Sequence, residues 1–144
     1  MPLFATDRSP PAALERTLLV AGRVTLASLF VLGGVAKIGR PELYLAMMTE
    51  AGIEPARPLL SLVIALELGG GLWVASGLRG HAFAAVALAL HTLLVNLLLH
   101  PFWQFGGDER IDEISFFFKN VSIAGGLLFV AGAARRRERS GGAR

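Results

Sequence analysis

The sequence predicts an all-α integral membrane protein, built as an antiparallel bundle of four transmembrane helices. Hydrophobic residues make up 53% of the 144-residue chain against 17% charged, and mean hydropathy is +0.57. Four apolar runs stand out, each about 18–21 residues long and able to cross a hydrocarbon core of about 30 Å. Four such helices use about 80 residues and leave about 64 for tails and loops, so a single domain fills the chain. The same composition excludes a disordered chain, a coiled coil and a soluble two-domain enzyme. With no cysteine, the chain by itself forms no disulfide framework, thiolate metal site or dithiol relay.

The first span, about 17–36, follows a polar leader containing Ser9-Pro10-Pro11. Its apolar core is too long for a cleaved signal peptide, and Arg23 interrupts it. A short helix is expected over about 41–51: Pro41 suits a first helical position, and Gly52 suits the residue after a helix end. The pairs Leu43–Met47 and Tyr44–Met48 are i,i+4 neighbours that would lay this helix on the membrane surface. Spans two and three, about 59–78 and 82–99, are joined by Leu78-Arg79-Gly80-His81, a turn tight enough to make them a hairpin. Pro101 to Glu113 forms an outer loop in which Trp103 reads as an interfacial anchor. Span four covers about 114–134. Small residues four apart (Ala65–Gly69, Gly71–Ala75, Ala85–Ala89, Ser122–Gly126) let backbones approach closely in lipid.

Lysine and arginine counts set the orientation. Arg8, Arg16, Arg79, Arg135, Arg136, Arg137, Arg139 and Arg144 fall on one side; Lys37, Arg40, Arg57 and Arg110 fall on the other. Both termini are therefore expected in the cytoplasm, with the chain in a bacterial inner membrane. The pI near 10.2 comes largely from the arginine tail after span four, which reads as an anchor to anionic lipid headgroups. No basic face interleaved with aromatics is present, so no nucleic-acid partner is expected.

The informative residues are the ionisable and amide side chains inside apolar runs, because a charge at mid-bilayer costs about 2.5–3.5 kcal/mol on insertion scales. Glu67 lies about 12 Å and Lys119 about 7 Å below the outer surface by helical rise. Lys37, Asn96 and His100 sit at outer span ends. Antiparallel threading predicts that Lys37, Glu67, Asn96, His100, Lys119 and Asn120 line a polar pocket opening outward, with Trp103 and the Tyr44–Met48 helix over its mouth. Arg23 reads as a snorkelling or helix-pairing residue. His91 faces about 180° away from His100 on the same helix, so the two could not share one metal or haem. Neither His-x-x-x-His nor Glu-x-x-His occurs, and neither metal nor haem is predicted.

Several stretches are similar to one family. They are Arg23, Phe30-Val31-Leu32-Gly33-Gly34-Val35-Ala36-Lys37-Ile38, Glu67-Leu68-Gly69-Gly70-Gly71-Leu72 with Gly77-Leu78, His100-Pro101-Phe102-Trp103, and Phe118-Lys119-Asn120 with Gly125-Gly126-Leu127-Leu128. In this order and spacing the chain resembles the DoxX family of small four-helix bacterial membrane proteins. The resemblance implies a subunit of a thiosulfate- or quinol-linked respiratory system, with functional weight on Lys37, Glu67, His100, Lys119 and Asn120. The expected role is an accessory or quinone-interacting subunit of a membrane oxidoreductase, with quinone as its ligand and a redox subunit as partner, since this chain lacks cysteine. Self-association is a further possible partnership. Two other readings compete: a non-catalytic scaffold that docks a partner, and a small proton or solute carrier, which would need oligomerisation because inverted repeats with broken helices are missing.

Overall fold

The computed structural model describes residues 12–141, with side chains placed for 13–136. The leader with Ser9-Pro10-Pro11, together with Arg8 and Arg144, lies outside the described residues, as do the side chains of Arg137 and Arg139. Among the described residues six α-helices follow one another: α1 (Ala12–Gly39), α2 (Pro41–Glu50), α3 (Ala56–Ala65), α4 (Gly71–Ser76), α5 (His81–Leu99) and α6 (Gly107–Gly141). A π-helical turn, Leu66–Gly70, joins α3 to α4 without a break, and a 3₁₀ turn, Phe102–Gln104, precedes α6. Among the described residues there is no strand. Among the described residues four segments are long and apolar enough to cross a membrane: Ala13–Gly39, Ala56–Ser76, His81–Gln104 and Gly107–Arg136.

Observed helices outrun the apolar runs where the flanking residues favour helix. Ala13, Leu14 and Glu15 extend α1 backwards because all three are good helix formers. Asp108 and Glu109 occupy the first turn of α6, where carboxylates complement the helix dipole. Half of the expected outer loop is therefore helical. Pro41 opens α2, and Gly52 follows its end at φ +70°. Gly77 (φ +66°) and Gly80 (φ +84°) supply the left-handed residues that let α4 reverse into α5 within four residues.

The core is made of small side chains. Ala27, Val74, Ala85, Leu88, Ala89, Ala124 and Leu127 are fully buried, with Phe30 beside them. Such residues let the helix axes approach, the main source of packing energy in lipid. A methyl on Gly71 would stand 3.3 Å from the Ala27 carbonyl of α1, so α1 and α4 are in backbone contact there. Gly126 of α6 meets the side chain of Leu26 of α1, whose Cδ1 would lie 3.2 Å from a Gly126 methyl. One expected small pair does not pack: Ala65 and Gly69 face outward, and nothing lies within 4 Å of a Gly69 methyl. The wide π turn shifts the register, so that Gly70 (against Leu88) and Gly71 meet the neighbours instead.

Arg23 closes the opposite end of the bundle. Its Nε donates to the Ala75 carbonyl at 3.3 Å, and its guanidinium lies against Gly77. A cation at the last carbonyls of α4 complements the negative end of that helix. This is the helix-pairing role, made to a helix terminus rather than to an acid.

Candidate functional site

Glu67 sits in the first turn of the π segment and is only 7% exposed. A π turn carries one more residue per turn than the flanking helix, and the Gly69-Gly70-Gly71 run offers little side-chain packing to resist it. The carboxylate lies opposite Gly33 and Gly34 of α1. A Gly33 methyl would come within 3.3 Å of Glu67 Oε2, and a Gly34 methyl within 3.5 Å of Glu67 Cβ. Gly33 leaves the space beside the carboxylate, while Gly34 leaves that of the Leu68 side chain, whose Cγ lies 2.7 Å from where a Gly34 methyl would stand.

Lys37 lies one turn beyond Gly33, near the end of α1. Helical side chains lean toward the amino terminus of their own helix, so Lys37 reaches back into the membrane rather than out of it. Its Nζ donates to Glu67 Oε1 at 3.0 Å and to Oε2 at 2.8 Å. From α5, His91 Nε2 reaches Glu67 Oε1 at 3.2 Å, with its side chain 9% exposed. Three helical rods thus each contribute one ionisable group to one buried cluster. Tyr44 of α2 covers it from outside, its ring centroid 5.1 Å from Lys37 Nζ.

The other residues singled out from the sequence divide between two further groups. Asn96, 1% exposed, donates through Nδ2 to the Phe117 carbonyl at 3.1 Å and accepts from Asn120 Nδ2 at 3.1 Å. This is a polar stitch between α5 and α6. His100 follows the last residue of α5 as its C-cap, and that displaced backbone turns its Nδ1 to Glu113 Oε2, 2.9 Å away. The His100 ring packs on Phe116, and Lys119 Nζ stands 4.6 Å over the same ring. Lys119 is exposed and leans outward along α6. Trp103 packs edge-on to Phe102 and Phe117 beyond the end of α5. Lys37 and Glu67 meet as the sequence predicts, whereas His100, Lys119 and the two asparagines find other partners.

Sequence reasoning missed His91. The angular argument separates His91 from His100 correctly, but Glu67 lies on the His91 side of α5. The available signal was the depth match, since Glu67 and His91 both fall near the middle of their helices. Among the described residues, no three His, Cys, Asp or Glu side chains are grouped to hold a metal ion.

Comparison with known proteins bears on this arrangement. The DoxX family model matches residues 18–101, more than half of the chain. The chain belongs to the DoxX family. The DoxX match takes in Lys37, Glu67, His91, Asn96 and His100, and stops before Trp103, Lys119 and Asn120. Inner membrane protein YqjF of Escherichia coli K12 is 31% identical over 121 residues, spanning 82% of this chain and 85% of its own. Inner membrane protein YphA of the same strain is 27% identical over 121 residues, spanning 83% and 84%. No solved structure matches.

Proposed function

We propose that this DoxX protein is a quinone-interacting accessory subunit of an inner-membrane oxidoreductase, with Lys37, Glu67 and His91 at its ligand-binding end. The observation that carries the reading is the trio itself. Taking an ammonium and a carboxylate out of water costs several kcal/mol per ion, and a hydrophobic replacement often stabilises as well or better. A buried ionic cluster is therefore weak evidence for stability and stronger evidence for a site.

The donor set fits a quinone, which needs an apolar slot and one or two hydrogen-bonding groups at its oxygens. Lys37 uses two of its three N–H groups on Glu67. His91 uses one of its two ring nitrogens. Quinone would supply two-electron, two-proton chemistry when bound. The chain's own residues would hold the oxygen end and keep a proton acceptor, Glu67, within reach of His91. The chain has no cysteine, so thiol redox chemistry belongs to a partner subunit. The arginines at the Gly77 end of the bundle support a reading with both termini in the cytoplasm and the trio in the outer half.

A titration of purified full-length protein with decylubiquinone tests the proposal. Saturable binding is expected, weakened at least about tenfold in Glu67→Gln, the loss of one charged hydrogen-bonding group. Absence of saturable binding to the unaltered protein contradicts it. A second reading, a non-catalytic scaffold, is favoured by one observation: among the described residues every fully buried side-chain nitrogen or oxygen has a partner. A Glu67→Gln protein that folds normally but fails to support its partner's activity argues against that reading.

A further inference from the structure

We propose that Arg135, stacked on Phe83, forms a discrete site for the phosphate of an anionic phospholipid in the leaflet at the Gly77 end of the bundle. The proposal is independent of the quinone reading and concerns the end of the helices remote from Lys37. The Arg135 guanidinium of α6 lies over the ring of Phe83, in the first turn of α5, 5.3 Å from its centroid. That is within the range of cation–π attraction. Stacking fixes the plane of the guanidinium fork and leaves its N–H edge free to bond elsewhere. Among the described residues no carboxylate pairs with Arg135. Both Arg135 and Phe83 are exposed, the ring by 66%, so the fork stands on the surface of the bundle and takes its anion from outside the chain.

The surroundings fit a lipid headgroup. A methyl on Gly80 would stand 3.1 Å from Trp73 Cζ2 and 4.0 Å from Phe83 Cδ2, so the two rings flank the turn between α4 and α5. Trp73 Nε1 donates to the Arg79 carbonyl at 3.3 Å, which holds the indole at this turn. Exposed amphipathic rings at the ends of membrane helices mark the headgroup level. Leu90 lies seven residues beyond Phe83, on the same stripe of α5, and is exposed as well. An acyl chain can therefore run along that stripe from a phosphate held by Arg135. Charge selects the lipid class. Arg16, Arg23, Arg79 and Arg136 crowd the same end, where Glu15 is the one acid among the described residues. Such a surplus favours a headgroup of net negative charge over a zwitterionic one. The planar fork adds geometry, because it takes two phosphate oxygens at once where an ammonium offers only a point charge.

Trp73 and Trp103 are the two tryptophans of the chain, so Trp103→Phe leaves a single fluorophore beside the site. The test places this full-length protein in bilayers that mix phosphatidylcholine with phosphatidylglycerol, one or the other carrying dibrominated chains. Quenching of Trp73 against mole fraction then gives the relative occupancy of its neighbourhood by each lipid. Phosphatidylglycerol is expected to be preferred about fivefold. Arg135→Gln should bring the ratio to within about twofold of unity. Arg135→Lys and Phe83→Leu keep the net charge but remove the fork or the stack, and each should lose at least about half of the preference. Equal quenching by the two lipids before any change at Arg135 overturns the proposal, as does a preference that Arg135→Gln leaves intact. An unchanged preference in either charge-conserving variant means diffuse attraction by the basic end and overturns the stacked site.

Discussion

Glu67 and Lys37 form an ion pair whose cost and benefit are separable by substitution. Removing one partner strands the other in a low-dielectric setting, whereas removing both strands neither charge. Glu67→Gln and Lys37→Met should each lower stability in detergent by about 1–3 kcal/mol, and the double variant should lose less than the sum. A thermal-unfolding double-mutant cycle measures this; strict additivity would mean that the two charges do not meet. Asn96 makes a comparable test between α5 and α6. Its loss in Asn96→Leu takes away the acceptor of the Asn120 amide and the extra donor on the Phe117 carbonyl, which keeps its backbone bond within α6. Interhelical hydrogen bonds in lipid average about 0.6 kcal/mol, so a cost of about 0.5–2 kcal/mol is expected from the same melts.

At the scale of elements, the π turn decides which side chains meet. Gly71 touches α1 backbone while Gly69 faces open space, so the two glycines should respond oppositely to alanine. Gly69→Ala should stabilise by about 0.5–1 kcal/mol through helix propensity. Gly71→Ala should destabilise by about 1–3 kcal/mol, because α1 and α4 must separate. Equal effects in detergent melts would mean a regular α-helix through 66–70. The helices were legible in the sequence because apolar run length alone selects a membrane-spanning segment. The Lys37–Glu67 pair was legible because both residues interrupt apolar runs in the same half of the bundle. The π turn was not, since it arises from packing around Gly69-Gly70-Gly71 and a glycine run reads equally well as a close-approach face. His91 was lost for a related reason: helical-wheel angles say which residues of α5 oppose each other, not which side of α5 faces the π turn. His100 was assigned to the trio's side, but the end of α5 at Leu99 releases it from the helical register.

At the scale of the whole molecule, an apolar bundle brings one carboxylate, one ammonium and one imidazole together from three sequence-distant rods, and small residues let the rods come close enough. The cysteine-free chain allows this to be tested by adding two cysteines. A methyl at Gly34 would lie 3.5 Å from Glu67 Cβ, within the Cβ separation of a disulfide, about 3.5–4.5 Å, once the flexible Leu68 side chain, 2.7 Å away, gives way. The Gly34→Cys/Glu67→Cys protein should cross-link in membranes under mild oxidation, while Val35→Cys/Glu67→Cys should not, because Val35 is exposed on another face of α1. Failure of the Gly34 pair to cross-link, with Glu67→Cys instead labelled by a lipid-soluble maleimide, would put residue 67 in the acyl chains and contradict the account.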